Sequence, residues 1–254
     1  MSNLEMCSVV KMSDLVSSLR HHGAVKSALN GRGWEIMAGM VDEWLTSDEI
    51  RSYVERYTEA RPPKEDDDYH KYYVARALPH DLNATVTLGA DDPFLKTALS
   101  LAGLAQEYFD GHQPRLEYYD IWHTFPLEST RERRGSQQWH RDQAAFGKPN
   151  RLFKAFLYFS DCLDDGAGPL QIQGPQGLVT CFAHRGDIWF ADTGAYLHQG
   201  GYSTTQSRTY AVWVFYDAHQ IRSKPRYNLT PEARAHFDSP ILWTRDQWDE
   251  DRYS

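Results

Sequence analysis

The sequence predicts a mainly β protein, a sandwich or jelly roll with helical flanks. Three observations predict it. From Arg115 to Tyr216, short apolar runs alternate with polar or glycine-rich turns, seven or so in ~100 residues. The chain carries 8 Trp, 15 Tyr and 11 Phe, side chains that suit a pleated, half-buried surface. Ahead of and behind that block the apolar spacing is largely helical.

In chain order, Asp14 to Leu29 has apolar residues at helical spacing and stops before the turn signal Asn30-Gly31. Gly33 to Met37 reads as a short strand. Thr46-Ser47-Asp48-Glu49 has the form of a capping box and opens a helix to about Ala60, which Pro62-Pro63 ends. The acidic run Glu65 to Asp68 reads as a solvated loop. Pro93 to Phe109 is a second helix with an apolar face from Phe94 to Ala105. The predicted strands are Arg115–Phe125, Gln137–Asp142, Leu152–Ser160, Pro169–Gln173, Leu178–Ala183, Asp187–Phe190 and Thr209–Tyr216. Thr230-Pro231-Glu232 starts a last helix, with Thr as cap and Pro at its first position.

At 254 residues, without repeats or low-complexity linkers, the chain is expected to form a single domain over 1–254. Its expected parts are a helical N-terminal part at about 1–113, a β core at about 114–217 and a C-terminal extension at about 218–254. A net charge of -8 argues against nucleic acid as the main partner. No apolar run is long enough to cross a membrane, and the first residues lack the basic start and apolar core of a signal peptide. Cys7, Cys162 and Cys181 show no paired spacing, so a reducing, cytoplasmic setting is expected, with a small molecule as partner.

The chemistry centres on Gln137-Gln138-Trp139-His140-Arg141-Asp142-Gln143. On a strand, residues i and i+2 share a face, so His140 and Asp142 would converge on one object. His198, flanked by a strand-and-turn and by Gly200-Gly201, would meet them across a barrel mouth; His184 and His219 are its rivals. Two histidines and a carboxylate on one face of a metal suit non-haem iron(II) with open coordination positions. Arg208 opens an apolar strand, where a buried cation needs an anion, such as the far carboxylate of a dicarboxylate co-substrate.

The ordered set Gln138-Trp139-His140-Arg141-Asp142, Phe156 to Asp161, Gly166-Ala167-Gly168-Pro169-Leu170, Gly186 to Phe190, His198-Gln199-Gly200 and Arg208 resembles the phytanoyl-CoA dioxygenase family of iron(II)- and 2-oxoglutarate-dependent oxygenases. With Gly33-Trp34-Glu35-Ile36, the resemblance covers most of residues 33 to 217. It implies a double-stranded β-helix, iron(II) held by His140, Asp142 and His198, and Arg208 on the distal carboxylate of 2-oxoglutarate. It also implies O2 as the oxidant, with succinate and CO2 released as a small organic molecule is oxidised. Where many relatives have Pro-Gly-Ser-His, this chain has Gly174-Pro175-Gln176-Gly177, and residues 218 to 254 match no part of the pattern.

Three further expectations attach to this site. Lys154, on one strand face with Phe156 and Tyr158, would assist Arg208 or bind the other end of the co-substrate. Gln138 would make a co-substrate or supporting contact. Arg131, Arg133 and Arg134 pack three cations just upstream of the metal residues and would meet an anionic part of the substrate from a lid. Two other function classes fit the β core: a binding protein without chemistry, and a cupin-type metal-dependent isomerase or hydrolase, for which Arg208 would be unneeded.

Overall fold

The computed structural model describes residues 5–6, 11–48, 50–52, 55, 73–75, 86–126, 137–142, 151–201, 203–219, 225–243 and 247. The chain begins with strand β1 (Glu5–Met6), helix α1 (Met12–His22), strand β2 (Ala24–Asn30) and helix α2 (Arg32–Leu45). After β3 (Tyr73–Ala75) and β4 (Val86–Leu88) comes helix α3 (Pro93–Tyr108). The β core follows as β5 (Pro114–Thr124), β6 (Leu152–Tyr158), β7 (Leu170–Gly174), β8 (Gly177–Cys181), β9 (Asp187–Asp192), β10 (Leu197–Gly200) and β11 (Arg208–Asp217). Strand β12 (Tyr227–Leu229) and helix α4 (Pro231–His236) close it.

A seven-stranded sheet runs β1-β2-β9-β6-β11-β5-β3 and faces a three-stranded sheet β10-β7-β8. The pair is a jelly roll, as the strand count predicts, with the double-stranded β-helix that the resemblance implies. Alternation divides each large-sheet strand between two cores. Phe153, Ala155, Leu157, Ala211, Trp213 and Phe215 point outward and pack under α1, α2 and α3. Phe156, Tyr158, Trp189, Val212 and Val214 point inward, against Leu170, Ile172 and Cys181 of the small sheet. The helices therefore stiffen one sheet and leave the barrel interior to the polar side chains described below.

Several predicted elements move. The predicted helix through Leu29 stops at Gly23, a left-handed residue (φ 82°) whose N–H bonds the Leu19 carbonyl at 2.7 Å. Residues 24–28 then pair with Asp187–Ala191 of β9, so sheet pairing overrides the local helical spacing. The predicted strand at Gly33–Met37 lies inside α2, whose Met37 and Val41, one turn apart, are fully buried. Ser47, one residue past the predicted cap, takes the Ile50 amide at 3.4 Å, while Thr46 ends α2. Gln137–Asp142 is no strand: it touches the small sheet through one bridge, His140 to His198. The helix at Pro93, capped by Asp92, and the helix at Pro231, capped by Thr230, stand where predicted.

Candidate metal centre

His198 lies on β10, 5% exposed, and its backbone exchanges two hydrogen bonds with His140: His140 N–H to His198 O at 2.9 Å, and the reverse at 2.8 Å. An opposed pair presents both side chains to one face, and the two rings lie 4.1 Å apart between centroids. Asp142 is fixed by its own N–H to the Thr193 carbonyl at 2.9 Å. Its Oδ1 comes to 3.6 Å from His140 Nε2 and its Oδ2 to 3.5 Å from His198 Nε2. One donor atom from each of the three lies within 4.8 Å of the others, the only such His/Cys/Asp/Glu cluster among the described residues.

The protonation states suit a cation. His140 Nδ1 sits 2.7 Å from the Gln138 carbonyl, so Nδ1 carries the proton and Nε2 presents its lone pair. Burial pushes the His198 imidazole down to about 4, which keeps it neutral near pH 7. Burial would raise the Asp142 carboxyl, but the Lys154 ammonium bonded to it holds it well below the usual carboxylate range. Lys154 Nζ reaches Asp142 Oδ2 at 2.5 Å, and although burial disfavours its charge, the Asp142 carboxylate keeps it protonated. The Asp142 carboxylate beside it raises the His140 imidazole above its ordinary value, so a metal would displace the proton that the two share. Two imidazoles and one ionised carboxylate make a donor set for a divalent metal.

Arg208 opens β11, 5% exposed, on the inward face with Tyr210, Val212 and Val214. Its Nε and Nη1 are buried without a hydrogen-bond partner among the described residues. Tyr210 lies under the guanidinium at 5.2 Å. Such a group is costly to bury alone, so the arrangement fits an anion inside the barrel. The loop between His198 and Arg208 is fastened by a close backbone crossing. A Cβ on Gly201 would meet the Gly168 carbonyl carbon at 2.3 Å, and Gly201 N–H bonds Pro169 O at 2.9 Å. That crossing explains why glycines stand both before Pro169 and after His198.

Other sequence expectations fare differently. Lys154 does face the barrel interior with Phe156 and Tyr158, and its partner there is the metal-site carboxylate of Asp142, an ion pair not anticipated. Gln138 serves through its backbone carbonyl; its side chain is exposed. His184, the rival ligand, is exposed and sits 3.7 Å from Asp161. His219 packs edge-on against His112, away from the cluster. Arg131, Arg133 and Arg134 lie outside the described residues. Gly174-Pro175-Gln176-Gly177 makes the tight β7–β8 hairpin, with Gly177 at φ 116°. Sequence reasoning also passed over Asp192, a wholly buried acid at the end of β9 whose signal was a carboxylate closing an apolar strand before Thr193-Gly194.

Fold and cluster together define a jelly-roll protein with a two-histidine, one-carboxylate cluster in its barrel. No protein-family model matches the sequence, and no curated protein matches it. Solved structures do match in fold. AviO1 from Streptomyces viridochromogenes is 17% identical, with a TM-score of 0.54 over 83% of this chain and 97% of its own. An oxidoreductase of the 2OG-Fe(II) oxygenase family from Burkholderia pseudomallei is 14% identical, with a TM-score of 0.52 over 90% and 100%. A prolyl-4-hydroxylase from Pseudomonas putida is 13% identical, with a TM-score of 0.50 over 81% and 98%. The chain thus has the double-stranded β-helix of the 2OG-Fe(II) oxygenases.

Proposed function

We propose that this protein is an iron(II)- and 2-oxoglutarate-dependent oxygenase acting on a small organic molecule, of the phytanoyl-CoA dioxygenase type. The observation that carries the reading is Arg208, a buried guanidinium with two nitrogens that find no partner among the described residues, in the barrel that bears His140, Asp142 and His198. A metal-only isomerase or hydrolase has no use for that cation, whereas a dicarboxylate co-substrate has.

In this reading His140 and His198 would hold the metal through imidazole nitrogens and Asp142 through a carboxylate oxygen. Arg208 grips the far carboxylate of 2-oxoglutarate with its flat fork. Bound iron supplies the O2 chemistry, in which 2-oxoglutarate, O2 and a substrate C–H become succinate, CO2 and the oxidised product. Lys154 keeps Asp142 ionised and oriented. The inward rings of Tyr118, Trp122, Phe156 and Trp189 shield the interior from water. One outer core draws on residues from Leu15 to Leu242, which supports a single catalytic unit over 1–254. The free, buried thiols of Cys162 and Cys181 support a cytoplasmic setting.

The test is succinate release from 2-oxoglutarate with iron(II) and O2, alone and against a panel of small-molecule substrates. Slow uncoupled release that one substrate class accelerates is expected, and it should vanish in His140→Ala and His198→Ala. Metal binding without any 2-oxoglutarate consumption across the panel would contradict the reading.

A further inference from the structure

Asp192, at the end of β9, is a fully buried acid to which the proposed chemistry gives no role. Its Oδ1 accepts the amides of Leu152 at 3.1 Å, Gly194 at 3.0 Å and Ala195 at 2.8 Å, and its Oδ2 accepts the Tyr108 hydroxyl. Its backbone carbonyl takes the Tyr196 amide at 3.3 Å. One residue thereby shapes the whole 192–196 turn. Two carbonyls of that turn reach the metal cluster. The Thr193 carbonyl accepts the Asp142 amide at 2.9 Å, and the Tyr196 carbonyl faces His198 Nδ1 at 3.4 Å.

We propose that Asp192 is a positioning residue for the metal centre, fixing the turn whose carbonyls aim Asp142 and His198. The proposal rests on the reading of His140, Asp142 and His198 as metal ligands. The physical reason is that ligand orientation is set by what the ligands bond to behind the metal, and displacements of about half an ångström spoil it. Without the Asp192 carboxylate, the Gly194 and Ala195 amides lose their acceptor and the turn relaxes. The Thr193 and Tyr196 carbonyls then move together, and two of three ligands move with them. Tyr108 also bonds Asp192, from helix α3, but through Oδ2, whereas the turn amides bond Oδ1.

Nickel(II), which binds such donors without redox chemistry, is titrated calorimetrically into the wild-type protein, Asp192→Ala, Asp192→Asn and Tyr108→Phe. Cobalt(II) absorption reports ligand geometry in parallel. Asp192→Ala should lose roughly ten- to a hundred-fold in nickel affinity and alter the cobalt spectrum. Asp192→Asn, whose amide oxygen still accepts from the turn, should recover most of both. Tyr108→Phe should lower the melting temperature and leave nickel affinity intact, which separates positioning from a merely structural tie. Because coupling is reciprocal, nickel should slow hydrogen exchange at the Gly194 and Ala195 amides of the wild-type protein, a readout that stands even if Asp192→Ala does not fold. Equal nickel affinity in Asp192→Ala and wild type, an equal loss in Tyr108→Phe, or unchanged exchange at those amides would overturn the proposal. Failure of the wild-type protein itself to bind nickel would instead overturn the metal-site reading.

Discussion

At the scale of single residues, Arg208 trades stability for binding. Its buried nitrogens, without partners among the described residues, cost free energy in the resting protein, so Arg208→Met should melt no lower than wild type without co-substrate. The same substitution should raise the 2-oxoglutarate requirement roughly ten- to a hundred-fold, the equivalent of a charge-assisted bond of about 1.5–3 kcal/mol. Thermal melts with and without 2-oxoglutarate, followed by succinate assays, read both halves. Lys154 behaves oppositely. Lys154→Met strips Asp142 of its 2.5 Å partner and should destabilise the metal-free protein by about 1–3 kcal/mol, with nickel restoring most of it. Urea unfolding with and without nickel measures that; a loss that nickel leaves untouched would mean the pair is unconnected to the metal. His140, Asp142, His198 and Arg208 were legible in sequence because spacing and order are themselves the signal. The Lys154–Asp142 pair was not, since it joins a strand to a non-strand segment and no periodicity marks such a contact.

At the scale of elements, backbone geometry decides more than side-chain pattern. His140 and Asp142 share a face, as the i, i+2 spacing suggested, yet they do so from an irregular segment pinned by one bridge to β10 and one bond to Thr193. The crossing of Gly168 and Gly201 sets the path between His198 and Arg208. Gly201→Ala should therefore cost about 2 kcal/mol or more, because its Cβ would strike backbone rather than a movable side chain. Gly39→Ala, in α2 with nothing within 4 Å of its Cβ, should instead stabilise by about 0.5–1 kcal/mol. Denaturant midpoints of the two variants give the comparison, and equal effects would show that the crossing is looser than its geometry implies. Helix α3 was legible from its apolar stripe and its start at Pro93. Strand β2 was not: its pairing with β9, more than 150 residues away, leaves no local trace.

At the scale of the whole molecule, three helices cover the outer face of the large sheet, while its inner face carries the buried Arg208 and the half-buried Lys154 that pairs with Asp142. The fold class was readable because alternation over many short strands is a collective signal that survives errors in single elements. Sheet order and the aim of side chains into the barrel were not, because they depend on non-local pairing. Burial also gives the molecule an acid weakness. His123, on β5 beside Thr209, is pushed down to about 4, so its neutral form stabilises the fold above about pH 6.5 and that contribution fades as the pH falls toward 4. Unfolding free energies across that window should fall, and His123→Gln should flatten the slope; an unchanged slope would assign the acid sensitivity to other groups.

In the proposed reading, His140, Asp142 and His198 bind one iron beside an anion held by Arg208. Anaerobic titration of iron(II) and 2-oxoglutarate, followed by the visible metal-to-ligand charge-transfer band, tests it most directly. The band should saturate with a single iron per chain, require 2-oxoglutarate, vanish in His198→Ala and need far more 2-oxoglutarate in Arg208→Met. A full band in His198→Ala, or no band in the wild-type protein with both components present, would contradict the account.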